Sequence, residues 1–221
     1  MRLIIFDCDG TLVDSQHVIV ECMRTAFQAC GLMPPLPYAV KRIVGLGLVE
    51  AIHRLYPEGD AGRITDLVES YKECFIELRA KADLNEPLFA NVAEILTYLM
   101  EQNYILGIAT GKSRRGLLAT LETHGLRKYF TTLQTIDDAP SKPHPAMLEQ
   151  AMAETGADKN ETIFVGDTVF DIEMAINAGT GAFGVSWGYH ETAELHAAGA
   201  HRVIDKMSEL PTLIVQWPEK N

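Results

Sequence analysis

The sequence predicts an α/β protein, a doubly wound parallel sheet that carries an inserted helical domain. Three observations predict it. Short continuous apolar runs, of the kind buried on both faces of a parallel sheet, recur along the chain. Segments of helical period separate them, which is the strand–helix alternation of doubly wound proteins. From about Ser15 to Leu84 the alternation stops and only helical pattern remains.

The first run, Leu3-Ile4-Ile5-Phe6, predicts a strand. The helical stretch follows. Val18, Cys22, Thr25, Ala26 and Ala29 are expected to share one helix face, and Met33-Pro34-Pro35-Leu36-Pro37 breaks that helix. Tyr38–Val44, Val49–Leu55 and Ile64–Leu78 continue the helical pattern, with Met23, Phe27 and Met33 expected in its core. Beyond it, Val92–Met100 places apolar residues at 92, 95, 96, 99 and 100, and Asn91 with Glu94 is the expected capping pair. Strands are expected over 104–109, 131–134, 162–165 and 182–185, with an edge strand at His201-Arg202-Val203-Ile204. Pro145–Glu154 and Thr168–Ala178 read as helices, the second ended by Gly179. The expected division is therefore a core of residues 1–14 and 86–221 and an inserted helical domain of 15–85, with hinges near Ser15 and Asn85–Pro87.

At 221 residues the chain can bury a core without disulfides. Its 19 Lys and Arg against 30 Asp and Glu give a net charge of −11, which argues against nucleic acid and against a polybasic membrane anchor. No apolar run approaches a membrane span of about 20 residues. Cys8, Cys22, Cys30 and Cys74 form no CxxC pair, and the amino-terminal segment does not read as a signal peptide. A cytoplasmic protein, monomeric or weakly dimeric, is expected.

In an open parallel sheet, ligands bind beyond the carboxyl ends of the strands. Polar residues follow the strand runs there. Asp7-Cys8-Asp9-Gly10-Thr11 follows the first, Thr110-Gly111-Lys112 the second, and Gly166-Asp167-Thr168 a third, with Asp171 one turn on. Lys142 joins them in a loop that opens a helix. Asp7 and Asp9, two apart in extended backbone, point the same way. With Asp167 and Asp171 they assemble four acids, a costly arrangement unless a cation sits there, and oxygen ligands of this kind suit Mg2+. Lys112, Arg114 and Arg115 are expected on the surface, and His144 in a loop role. Gly107–Ser113 imitates a nucleotide P-loop, but three residues rather than four precede Gly-Lys-Ser, and Leu106 stands where the glycine belongs.

Asp7-Cys8-Asp9-Gly10-Thr11-Leu12-Val13-Asp14-Ser15 resembles the first motif of the haloacid dehalogenase superfamily. Thr110 resembles its second motif, Lys142 its third, and Gly166-Asp167 with Asp171 its fourth. The resemblance covers nearly the whole chain and implies a Rossmann-like core with a helical cap domain. It implies a two-step phosphoryl transfer, with Asp7 as nucleophile and Asp9 as acid–base group. Asp7, the Asp9 carbonyl and Asp167 would hold Mg2+, supported by Gly166 and Asp171, while Thr110, Gly111 and Lys142 would bind the phosphoryl oxygens. Ala90-Asn91 departs from the family, which has Pro-Gly there, and Asn91 is expected to cap in its place.

Within the superfamily, Asp9 argues against a dehalogenase, which lacks the second carboxylate. A sugar phosphomutase of the β-phosphoglucomutase type carries a basic residue where Leu48 aligns. Ile43-Val44-Gly45-Leu46-Gly47-Leu48 resembles the phosphoglycolate phosphatase group, so a phosphatase for a small phosphorylated metabolite is expected, with a sugar phosphomutase of the β-phosphoglucomutase type or a pyrophosphatase as the alternatives. Lys41, Arg42 and His17 are the cap candidates for meeting the substrate.

Overall fold

In the computed structural model, which describes residues 2–80 and 86–217, the apolar runs are strands β1 (Leu3–Phe6), β2 (Ile105–Thr110), β3 (Thr132–Thr135), β4 (Thr162–Gly166), β5 (Gly181–Val185) and β6 (Arg202–Ile204). They form one parallel sheet in the order β3-β2-β1-β4-β5-β6. The order reverses at β1, so a crevice opens at the carboxyl end of that strand. The strand ends differ from expectation by about a residue. Tyr104 and Thr131 precede their strands, and Thr110 pairs with Thr135 at the far end. In-register pairing with a neighbour, rather than apolarity alone, sets where a strand stops.

The helices are α1 (Gln16–Ala29), α2 (Pro37–Lys41), α3 (Leu48–Leu55), α4 (Ala61–Ala80), α5 (Val92–Glu101), α6 (Arg114–Thr123), α7 (Ala146–Thr155), α8 (Val169–Ala178), α9 (Thr192–Ala197) and α10 (Leu210–Gln216). Period-two alternation along β1 distributes them over the sheet's two faces. Ile4 and Phe6 pack with Leu96 of α5, Leu121 of α6 and Ile214 of α10. Leu3 and Ile5 pack with Leu148 of α7, Ile172 of α8 and Leu195 of α9.

Helices α1 to α4 build a second apolar cluster from Ile19, Met23, Phe27, Val40, Ile52 and Leu67, which Phe170 of α8 joins. The buried stripe of α1 is turned relative to the expected one. Ile19, Met23 and Phe27 face that cluster, Val18 and Cys22 face Cys74 of α4, Thr25 is half-buried and Ala29 is exposed. Two partner surfaces, rather than one, widen the buried arc. Met33 is 89% exposed, because it lies in the non-helical segment after α1 and not on a helix face.

The chain leaves and re-enters the sheet layer along adjacent extended segments. Asp14 N donates to the Pro87 carbonyl (2.8 Å), Phe89 N donates to the Leu12 carbonyl (3.0 Å), and Val13 pairs antiparallel with Leu88. Leu84 and Asn85, where the inserted stretch was expected to end, lie outside the described residues. Asn91 does not cap α5 in the expected way. It sits at φ 64°, and its amide donates to the Glu94 carboxylate rather than accepting a backbone N–H. Asparagine tolerates this left-handed conformation better than most residues. Among the described residues no helix is long and apolar enough to cross a membrane. All four cysteines are free.

Candidate active site

Asp7 and Asp9 continue the alternation of β1. Ile4, Phe6 and Cys8 point into one helical layer, while Asp7 and Asp9 line a cleft of about 840 Å3 between the sheet edge and helices α1, α3 and α4. Gly10 makes the turn that follows. Its φ is +84°, and a Cβ there would lie 2.3 Å from Asp167 Oδ2. Only glycine lets this loop both turn and press against Asp167.

The remaining groups arrive from β4, α8 and the loop before α7. Asp167 follows β4; its Oδ1 accepts from the Thr11 hydroxyl (2.8 Å) and its Oδ2 from Tyr189 N (2.9 Å). Asp171 closes a capping box with Thr168 at the start of α8. Its Oδ2 accepts from Thr168 N (2.9 Å), the Thr168 hydroxyl (2.8 Å) and Asp167 N (3.2 Å). Lys142 is fully buried, and its ammonium bridges Asp171 Oδ1 (2.6 Å) and Asp7 Oδ1 (2.8 Å).

Burial dominates the electrostatics. It pushes the Asp7 carboxyl up to about 7, with Lys142 opposing and Asp171 adding to the rise. Burial, then Asp171 and Asp7, raise Asp167 well above the carboxylate range. Burial alone would depress Lys142, but Asp171 and Asp7 together outweigh it and hold the ammonium above its ordinary range.

Carboxylate oxygens of Asp7, Asp167 and Asp171 lie within 4.8 Å of one another. Asp7 Oδ2 is buried and accepts no hydrogen bond from the described residues. A cluster of buried carboxylates with an unpartnered oxygen fits a hard divalent cation with oxygen ligands. The Asp9 side chain stands outside the cluster. Its Oδ1 accepts from the Ser15 hydroxyl (2.5 Å) and from Lys112 Nζ (2.8 Å).

Lys112 is therefore not the surface lysine expected from the sequence. Its side chain is only 9% exposed. Burial would depress its ammonium, but Asp9 first among its acidic neighbours outweighs that and raises it. Position after β2 was the available signal, since the segment that carries Thr110 and Gly111 also carries Lys112. A nearly buried pair broken on one side leaves an unpaired charge, so Lys112→Met should cost about 2–3 kcal/mol of stability. An ordinary surface substitution stays within about 0.5 kcal/mol. Urea unfolding of the two proteins separates these values.

Thr110 is buried at the end of β2 and lines the cleft with Gly111. A Cβ on Gly111 would lie 2.7 Å from the carbonyl oxygens of Gly45 and Leu46, so glycine here lets the helical insert's loop settle on the sheet edge. Gly47 N donates to the Ser141 hydroxyl (2.7 Å) in the same contact. His144 is exposed and its Nδ1 accepts from Ala146 N, a loop role as expected.

The cap candidates do not reach the site. His17 is exposed, and neither it nor Lys41 nor Arg42 lines the cleft. Arg42 instead makes a two-pronged ion pair with Glu194 of α9 (2.7 Å each). This contact joins the insert to the core across 152 residues of sequence, which local pattern does not foretell. Residues 43 to 47, immediately after Arg42, do line the cleft.

Comparison with known proteins agrees with this geometry. The haloacid dehalogenase-like hydrolase family profile matches residues 4–185. The "Probable phosphatase IndB" of Dickeya dadantii (strain 3937) is 38% identical over 211 residues, covering 94% of this chain and 91% of that one. A phosphoglycolate phosphatase of Vibrio parahaemolyticus is 31% identical over 95% of this chain and 94% of its own. Pyrophosphatase PpaX of Bacillus cereus (strain AH820) is 30% identical over the same shares. In fold, the chain is similar to the crystal structure of a hydrolase from Pseudomonas syringae, with TM-score 0.86, 24% identity, and coverage of 98% of this chain and 99% of that one.

Proposed function

Because the chain belongs to the haloacid dehalogenase-like hydrolase family and is a phosphatase, we propose that it hydrolyses a small phosphomonoester through a covalent phosphoryl intermediate on Asp7, with Mg2+ as cofactor. The observation that carries this reading is the buried Asp7 carboxylate lining the cleft, its Oδ1 2.8 Å from the Lys142 ammonium and its Oδ2 without a hydrogen-bond partner among the described residues.

A carboxylate oxygen of Asp7 attacks phosphorus, and the ester P–O bond breaks. Asp9 gives its proton to the departing alcohol oxygen. In the second step Asp9 takes a proton from water, the water oxygen attacks phosphorus, and inorganic phosphate leaves with Asp7 restored. Lys142 and Thr110 hold the phosphoryl oxygens, and the Lys142 charge stabilises them as negative charge redistributes. Lys112 and Ser15 fix the orientation of Asp9. Asp7, the Asp9 carbonyl and Asp167 would hold the cation, with Asp171 and Gly166 in support. When bound, the cation supplies positive charge against the phosphoryl group and the clustered acids. The free cysteines support a reducing, cytoplasmic setting.

The test is hydrolysis of para-nitrophenyl phosphate with and without metal. Turnover should require Mg2+, vanish in EDTA and return on adding Mg2+. The same addition should raise the melting temperature, because an ion that binds the folded state stabilises it. Undiminished turnover in metal-free buffer would overturn the metal assignment.

A further inference from the structure

The cleft is larger and more apolar than a two-carbon acid or a second phosphate requires. Its volume is about 840 Å3, within the range of about 300–1,000 Å3 typical for drug-sized ligands. Asp7 and Asp9 line it, and the insert contributes Met23, Val44, Leu48, Val68, Tyr71 and Phe75.

Two of the cations on this wall, Lys112 and Arg79, are already engaged. Lys112 is paired with Asp9 and lies 5.3 Å from the Phe75 ring centre. Arg79 lies over the same ring at 5.0 Å, donates to the Thr120 hydroxyl and faces Glu86 at 3.5 Å. Its Nε–H has no partner among the described residues, leaving one donor suited to a neutral oxygen. His53, Lys72 and Arg115 also line the cleft but are exposed. Away from these exposed groups, an anionic leaving group would lose its water against apolar walls without a buried cation free to pair with it, which is costly.

Resting on the phosphatase reading above, we infer that the substrate is a phosphomonoester of an apolar or aromatic alcohol, whose hydrophobic body fills the space beneath Val44, Val68, Tyr71 and Phe75. Phosphate chemistry stays at Asp7. The apolar body contributes binding energy remote from the reacting bond, and the compounds that carry a second anion are poor substrates.

Straight-chain alkyl phosphates from ethyl to octyl test this, because leaving-group basicity hardly changes along the series. Each methylene buried should raise kcat/KM about two- to fourfold. Hexyl phosphate, with four more methylenes, should then exceed ethyl phosphate by about 16- to 250-fold, and should also exceed phosphoglycolate and pyrophosphate. Ile76 lines the cleft and is 48% exposed, so a charge there is compatible with folding. Ile76→Asp should lower the hexyl-to-ethyl ratio several-fold, which a purely structural effect would leave unmoved. A flat alkyl series, or a preference for phosphoglycolate or pyrophosphate over hexyl phosphate, overturns this inference. If para-nitrophenyl phosphate is still hydrolysed, the phosphatase reading survives that result. Failure to hydrolyse any ester in the set removes both.

Discussion

Asp7→Asn should lower kcat by at least about 10^4-fold, because it replaces the proposed nucleophilic carboxylate with a neutral amide of the same shape. The fold should persist, and in metal-free buffer the variant should be the more stable protein at neutral pH. Folded Asp7 keeps its proton up to about 7, whereas an unfolded aspartate loses it near 3.8. Between these values the folded state binds more protons, so its stability falls as pH rises. Asparagine cannot ionise and escapes that loss. Melting curves in EDTA should show the variant's advantage growing from about pH 4 to 7 and absent below about pH 4. Full activity in this variant would end the covalent mechanism.

Lys142→Met should fail in both respects. The ammonium is fully buried between Asp7 and Asp171, so its loss leaves two carboxylates desolvated without their partner. One-sided removal of a buried ion pair costs about 3–5 kcal/mol. For a chain of this size that lowers the melting temperature by on the order of 10 °C. The turnover that remains should be down about 10^2- to 10^3-fold, the scale for removing one preorganised stabilising group. Added Mg2+ should recover part of the stability but not the rate, because the role proposed for Lys142 is to hold the phosphoryl oxygens. A melting temperature within a degree or two of the parent would mean that the ammonium is not the charge balancing these acids.

Much of the candidate site was legible because its residues are written next to the strands that carry them. Asp7 and Asp9 follow β1, Thr110 ends β2, and Asp167 follows β4, so finding the strands located the acids. The helix pattern of the insert was equally local. Its finer details were not. The stripe of α1 turned because the helix meets two surfaces, and Asn91 took a left-handed turn position instead of a cap. Lys112 looked like any lysine past a strand until its partner, 103 residues away, was in view. Arg42 looked like a substrate contact until Glu194 took its charge.

The sequence by itself determined the doubly wound parallel sheet, the helical insert and the acids at the sheet edge. Each of these depends on periodicity or on position relative to a strand, properties carried by a few consecutive residues. The tertiary structure decided which cation neutralises which acid. It also decided the apolar character of the cleft. Burial raises or suppresses a charge only once distant segments close around it, and a wall is apolar only when α1, α3 and α4 turn their faces to one space. No short stretch of chain contains that information.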